Sequence, residues 1–348
     1  MTKQIIPQLT EEQIARYNKY LADKVVIKNA ISNYYDFQKL RIQSGNRLVA
    51  SFNIQAGQKS SLKQEEMNPE MKKMLSVLRL EYNRITDAYI NNKHTIKKII
   101  AEEQKTSSLN LQYIRSEYDY RMIKAYVDML DQEENYLKMI KGIILEYPIY
   151  TEFLSKCKGV GPVMAAVLIA YIDIYKAKYV SSILKYAGID TVYDEAADKL
   201  VGRTRSYLEE VEYKAKDGTI QTKKSLTYNP FLKTKILGVL GPSFIKSKSD
   251  YAVPFYEYRM RIRNKANANP DWAKANNMTP GHINNMAMRY MIKQFLKELY
   301  AEWKKLEGLP AAVPYEQAFL GMAPHHYNPY ADFAKEHPEA FSKANEEV

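Results

Sequence analysis

The stretch that most limits how this chain can fold is FLSKCKGVGPVMAAVLIAYID, Phe153–Asp173. Gly159 and Gly161 flank Val160, and Pro162 follows directly. Proline suits the first position of a helix: its φ is already helical, and its missing N–H would have no partner there. From Val163 to Ala170 every residue is apolar, so the helix opened by Pro162 has no face for water and must be buried. The glycines let the backbone approach something closely, and N–H groups at a helix start favour an anion. Lys156 and Lys158 stand beside the turn. This is the pattern of a helix-hairpin-helix, whose usual ligand is a nucleic-acid phosphate. A turn that only packs two helices together is the competing reading.

Charge favours the phosphate. The 348 residues carry a formal net charge of +11, with a pI of about 9.2. Between Cys157 and Tyr300 there are 23 Lys and Arg against 13 Asp and Glu, so nearly all the excess lies in the part that begins at the glycine turn. A basic region of this kind points to a polyanionic partner. The single cysteine, Cys157, excludes a disulfide framework and a cysteine-based zinc site. The N-terminal MTKQIIPQLTEEQ has no apolar core of signal-peptide length, and the apolar run Val163–Ile172 is too short for a bilayer. The expectation is a cytoplasmic protein with no membrane partner. The 29 tyrosines can stack on bases, but at that number most must be half-buried core.

The patterning predicts a mainly α-helical chain. Residues 1–55 read as an N-terminal helical segment, opened by the capping box Thr10-Glu11-Glu12-Gln13, with Gly45 as a bend or a close approach. Residues 56–70 have the composition of a linker. Residues 71–150 read as a long antiparallel helical hairpin. In its first arm Leu75, Leu78, Tyr82, Ile85, Tyr89, Asn92, Ile96 and Ile99 alternate gaps of three and four, a heptad seam with a polar position at Asn92. The second arm repeats the spacing from Tyr126 through Glu133 to Tyr147, and TSSLN (Thr106–Asn110) turns between them. Such a coiled-coil-like arm can join two copies into a homo-oligomer or fold back on the N-terminal helices.

Residues 151–308 form the helix-hairpin-helix domain. Asp217-Gly218 between alternating segments predicts one small β-hairpin near Leu208–Leu226, expected as the only sheet. Asn229-Pro230 starts an apolar helix that Gly241-Pro242 breaks, and Gly281–Gly308 is a strong amphipathic helix. Residues 309–348 are a proline-containing tail, read as extended over the surface. The candidate DNA contacts are Lys156, Lys158, Gly159 and Gly161 at the turn, Arg203 and Arg205, the cluster Arg259, Arg261 and Arg263, and Arg289. For the arginines the alternative is a solvated basic face.

Catalytic signals are thin. His282 reads as a capping or surface residue in preference to a general base, and His325-His326 lack a spaced third metal ligand. Asp194, Glu195 and Asp198 read as an acidic loop in preference to a magnesium site. No P-loop, Rossmann or zincin motif is present, so no metal and no cofactor is expected unless a nuclease site is hidden.

The order of pieces GVGPVMAAVLIAYI, KYVSSILKYAGID, GRTRS, NPFLKTKIL, FYEYRMRIRNK and HINNMAMRYMIKQFLKELY carries a resemblance. Leu154 to about Glu302 resembles the C-terminal helix-hairpin-helix domain of insertion-sequence transposases of the DEDD, RuvC-like type. In that family the N-terminal domain holds metal-binding acids, the C-terminal domain supplies a serine nucleophile, and a structured RNA guides both on DNA. The resemblance therefore implies a DNA-binding protein of a mobile element or prophage, acting in transposition or recombination. It does not extend to the family's acidic domain, since residues 1–70 read as helices, and Tyr193–Ala197 has no serine where the family's serine segment falls. A non-catalytic nucleic-acid-binding protein and a helical protein–protein scaffold are the alternatives.

Overall fold

The structure, a computed structural model, describes residues 9–57, 69–92, 94–194, 198–206, 208–313 and 329–341. It is mainly α-helical, as the patterning predicts, and divides into two compact units. One is Asn29–Ile140; the other is Met1–Lys28 with Lys141–Val348. Most of the expected linker, Asn92's side chain, the His325-His326 pair and much of the tail lie outside the described residues.

The N-terminal segment is one helix, α1 (Glu11–Gln55), and Gly45 sits inside it without interrupting it. In the unit Asn29–Ile140, α1 is joined by α2 (Pro69–Asn92), α3 (Ile96–Thr106) and α4 (Glu117–Ile144). The first arm of the expected hairpin is thus broken in two. Thr95 is the reason: its side chain accepts from Lys98 N at 3.3 Å and starts a new helix. The seam residues Leu75, Leu78, Ile85 and Ile99 pack with Leu48, Val49 and Phe52 of α1 and with Ile123 and Tyr126 of α4. They fill the core within the chain. Glu133, the polar position of the second seam, accepts from Gln38 Nε2 at 3.1 Å and pairs with Arg41, both on α1.

Two buried glutamates organise the turn between α3 and α4. Glu81, 1% exposed, accepts the backbone N–H groups of Gln112, Tyr113 and Ile114 at 2.8–3.0 Å. Glu103 accepts those of Leu109 and Leu111 at 2.5 and 3.1 Å. Ser116 and Asp119 then cap α4 reciprocally, each side chain taking the other's backbone N–H.

In the other unit, α5 (Pro148–Glu152) and a 3-10 turn (Leu154–Lys156) lead through the glycines to α6 (Pro162–Tyr171). Met164 to Ala170 are all buried, as their composition demands. There follow α7 (Val180–Tyr186), β1 (Thr191–Asp194), β2 (Lys199–Gly202), β3 (Leu208–Lys214) and β4 (Ile220–Leu226). The predicted hairpin is β3–β4, paired Leu208 to Leu226, with Asp217 accepting from Thr219 N at 3.0 Å in its turn. A second antiparallel hairpin, β1–β2, departs from the single sheet that the patterning predicts; its strands are only four residues long, too short for alternation to mark them.

Next come α8 (Pro230–Lys235), a π-helical stretch (Ile236–Leu240) and α9 (Gly241–Lys246). The expected break at Gly241-Pro242 is therefore a widened turn in continuous helix. Gly241 fits there because a Cβ would lie 2.2 Å from Met288 Sδ. After α10 (Val253–Ala268) and α11 (Pro270–Ala275), α12 (Pro280–Leu306) runs through the centre, burying Ala287, Met291, Phe295, Leu299 and Trp303. The tail differs from the expected extended segment: α13 (Tyr330–Glu336) and a 3-10 turn (Pro338–Phe341) pack their aromatic rings on Tyr256 of α10. No helix among the described residues is long and apolar enough to cross a membrane.

Replacing Glu81 by Leu removes one acceptor from three backbone donors. Each buried unsatisfied donor costs about 1–3 kcal/mol, so urea denaturation should read a loss of about 3 kcal/mol or more. A loss under about 1 kcal/mol would mean that water satisfies these groups.

Candidate nucleic-acid interface

The two glycines of the turn have different environments. Gly159 has φ +101°, and a Cβ there would lie 2.8 Å from Ser247 Oγ and 2.9 Å from Phe244 Cδ1. Its carbonyl accepts from Ser243 Oγ at 2.7 Å. Gly159 is thus the point where the turn packs on α9. Gly161, the N-cap residue of α6, is exposed, and a Cβ there would meet nothing within 4 Å. Lys156 and Lys158 are exposed beside it, and Lys156 pairs with Glu152 at 3.1 Å. Cys157 is buried, and burial pushes its thiol up to about 11, which leaves little thiolate at neutral pH.

Two predicted DNA contacts are spent inside the fold. Arg203 is buried and grips Asp190 with two hydrogen bonds, at 2.9 and 3.0 Å, and Thr227 Oγ1 at 2.5 Å. Arg259 is buried against Phe255 and Tyr256 and donates to Ala340 O at 2.7 Å, holding the tail on α10. Alternation along α10 put Arg259 in the same sequence cluster as Arg261 and Arg263 but on an inward face. Arg261 is exposed over the Tyr258 ring, which stacks on Tyr290, and Arg263 is half-buried.

Arg205 and Arg289 meet in a cavity of about 370 Å³, with Lys233 as a third cation and Thr204, Thr234 and Tyr228 completing its polar wall. Lys233 Nζ donates to the Arg203 carbonyl at 2.7 Å and lies over the Tyr228 ring. Burial pushes Lys233 down to about 8, with Arg289, Arg203 and Arg205 adding to the shift and Asp190 opposing it. Burial also holds the Arg289 guanidinium below its ordinary value. Among the described residues no carboxylate forms an ion pair with Arg205, Lys233 or Arg289. Gly202 leaves the lane that Arg289 occupies: a Cβ there would lie 1.7 Å from Arg289 Nη1.

Lys233 and Gly202 escaped the sequence reading. Lys233 stands at the fourth position of a short helix capped by Asn229, one of two lysines there, and nothing in that spacing marks it. His282 is exposed at the start of α12, where Thr279 caps its backbone N–H at 3.2 Å. Asp198 accepts from Tyr193, whereas Glu195 lies outside the described residues. Among the described residues no group of three His, Cys, Asp or Glu side chains is placed to hold a metal ion. Residues 9–57 contain no strand. Comparison with protein-family models, with curated proteins and with solved structures finds no match.

The Lys233 shift has a consequence for stability. A lysine near 8 in the folded chain and near 10.5 unfolded binds fewer protons when folded across that interval. Stability therefore rises with pH from about 8 to about 10, and the penalty is fully present below 8. Denaturation at pH 7.5, 8.5 and 9.5 should show this rise, and Lys233→Met should remove it. An equal rise in the variant would assign it to another group.

Proposed function

We propose that the unit built around the glycine turn binds the phosphate backbone of DNA, and that the protein acts in DNA transposition or recombination in the cytoplasm. The observation that carries this reading is the cation pocket of Arg205, Lys233 and Arg289. Three positive groups converge there, two of them half-buried, with no carboxylate among the described residues to pair them. A phosphate would supply the missing charge, accept from both guanidinium groups and favour the protonated form of Lys233. Exposed Lys158 and open Gly161 at the start of α6 add a second place for a phosphate.

The choice of DNA, and of transposition or recombination, rests on the resemblance of Leu154–Glu302 to the transposase C-terminal domain. A structured RNA offers the same phosphates and is the second ligand to test. Binding is what the pocket supports; a structural or regulatory role on nucleic acid uses the same contacts. Metal-dependent strand transfer by the purified chain would separate the enzyme from the binding module.

Titration of a labelled 30-base-pair duplex over a range of salt tests the reading. Arg205→Gln and Arg289→Gln should each weaken binding about tenfold and flatten the slope of log K against log salt by about 0.9 per lost phosphate. Gly161→Val should weaken binding in a folded protein, whereas Gly159→Val should destabilise the fold. Unchanged affinity in Arg205→Gln, Arg289→Gln and Gly161→Val would overturn the interface, as would failure of the parent chain to bind duplex, branched DNA or RNA.

A further inference from the structure

A second cavity, of about 290 Å³, adjoins the cation pocket and is small even for a small-molecule site. Ile183 and Ala177 give it an apolar floor, Lys24 and Lys176 stand at its polar side, and Tyr186 forms an aromatic wall. Asn229 links the two cavities. Its backbone N–H donates to the Tyr186 carbonyl at 2.8 Å, and its Nδ2 donates to the Tyr186 hydroxyl at 3.0 Å. The residues on either side of Asn229, Tyr228 and Pro230, line the cation pocket.

Tyr186 is 40% exposed, yet Asn229 holds both its backbone carbonyl and the hydroxyl at the tip of its ring. Among the described residues no aromatic ring stacks on it. A fixed, open aromatic face is a stacking platform that has already given up its rotamer freedom. The charge beside it is also unbalanced. Asp173 lies 3.7 Å from Lys24 and 4.0 Å from Lys176, so one carboxylate is shared by two lysines. Lys28 lies near by over the Tyr171 ring, and burial holds it and Lys24 below their ordinary values. A flat ring with an attached phosphate matches this combination: the ring meets the apolar floor and Tyr186, and the phosphate meets the lysines.

We propose that this cavity receives one unstacked nucleobase of the strand whose neighbouring phosphate sits between Arg205, Lys233 and Arg289. The inference rests on the nucleic-acid reading above and adds that the preferred ligand has an unpaired or flipped-out nucleotide. A base inside a duplex cannot reach Tyr186 without leaving its stack.

The test uses the full chain and three oligonucleotides of equal length: a single strand, the same strand with one internal run of abasic sites, and a duplex. All keep their phosphates. The parent chain should bind the single strand about tenfold more tightly than the abasic strand, the stacking contribution of one base. Tyr186→Ala should lose that preference without changing the salt slope, Tyr186→Phe should retain most of it, and Arg289→Gln should change the slope but keep the preference. A 2-aminopurine in the run should be quenched on binding in the parent chain and not in Tyr186→Ala. Equal affinity for intact and abasic strands would overturn the base site while leaving phosphate binding intact. Competition by a free mononucleotide at concentrations close to those of the oligonucleotide would overturn the strand reading in favour of a nucleotide site. Failure to bind any of the three would overturn both proposals.

Discussion

The bidentate ion pair between Arg203 and Asp190 is the contact on which the basic side of this molecule depends. Arg203 is buried, its guanidinium holds the Asp190 carboxylate and the Thr227 hydroxyl, and its backbone N–H donates to the Asp190 carbonyl at 3.2 Å. One residue thus fastens the segment after α7, the end of β2 and the entry to α8. Much of the lining of the cation pocket hangs from these three segments: Thr204 and Arg205 follow Arg203, Tyr228 follows Thr227, and Gly202 clears the way for Arg289 of α12. The Arg203 carbonyl also accepts from Lys233. A buried pair of this kind adds little net stability, but removing one partner strands the other charge, so its value lies in fixing geometry.

Against that fixed frame the positive groups are held at a cost. Lys233 and Arg289 are half-buried with no paired carboxylate among the described residues, and burial depresses both. The same holds in part for Lys24 and Lys28, for which Asp173 is the one opposing carboxylate among the described residues. Groups buried this way lower the stability of the free protein and raise its affinity for whatever anion neutralises them. The turn divides the work similarly: Gly159 secures α9, and Gly161 is left open. Packing belongs to Gly159, and the phosphate access we propose belongs to its neighbour Gly161.

The sequence was informative where pattern is local. The all-apolar run of α6, the amphipathic stripe of α12 and the Asp217-Gly218 turn each dictate their element from a few residues. It was less informative where the deciding partner is distant. The heptad spacing in α2 and α3 is real, but Thr95 splits the arm and α1 supplies the partner for the seam. The tail packs because Tyr330, Phe333 and Phe341 find Tyr256, a match that prolines in the sequence conceal. Among the candidate contacts, Arg203 and Arg259 look the same in sequence as Arg205 and Arg261; only the fold turns the first pair inward. Lys233 is distinguished only by the fold, which brings Arg205 and Arg289 to the same cavity.

The central claim is that the fold presents the Arg205–Lys233–Arg289 group to a phosphate. Lysine-selective acylation at pH 8, followed residue by residue with mass spectrometry in the presence and absence of DNA, tests it most directly. The account predicts that DNA slows labelling of Lys233 strongly and leaves Lys98, exposed on α3, unaffected. Equal labelling of Lys233 with and without bound DNA would contradict it.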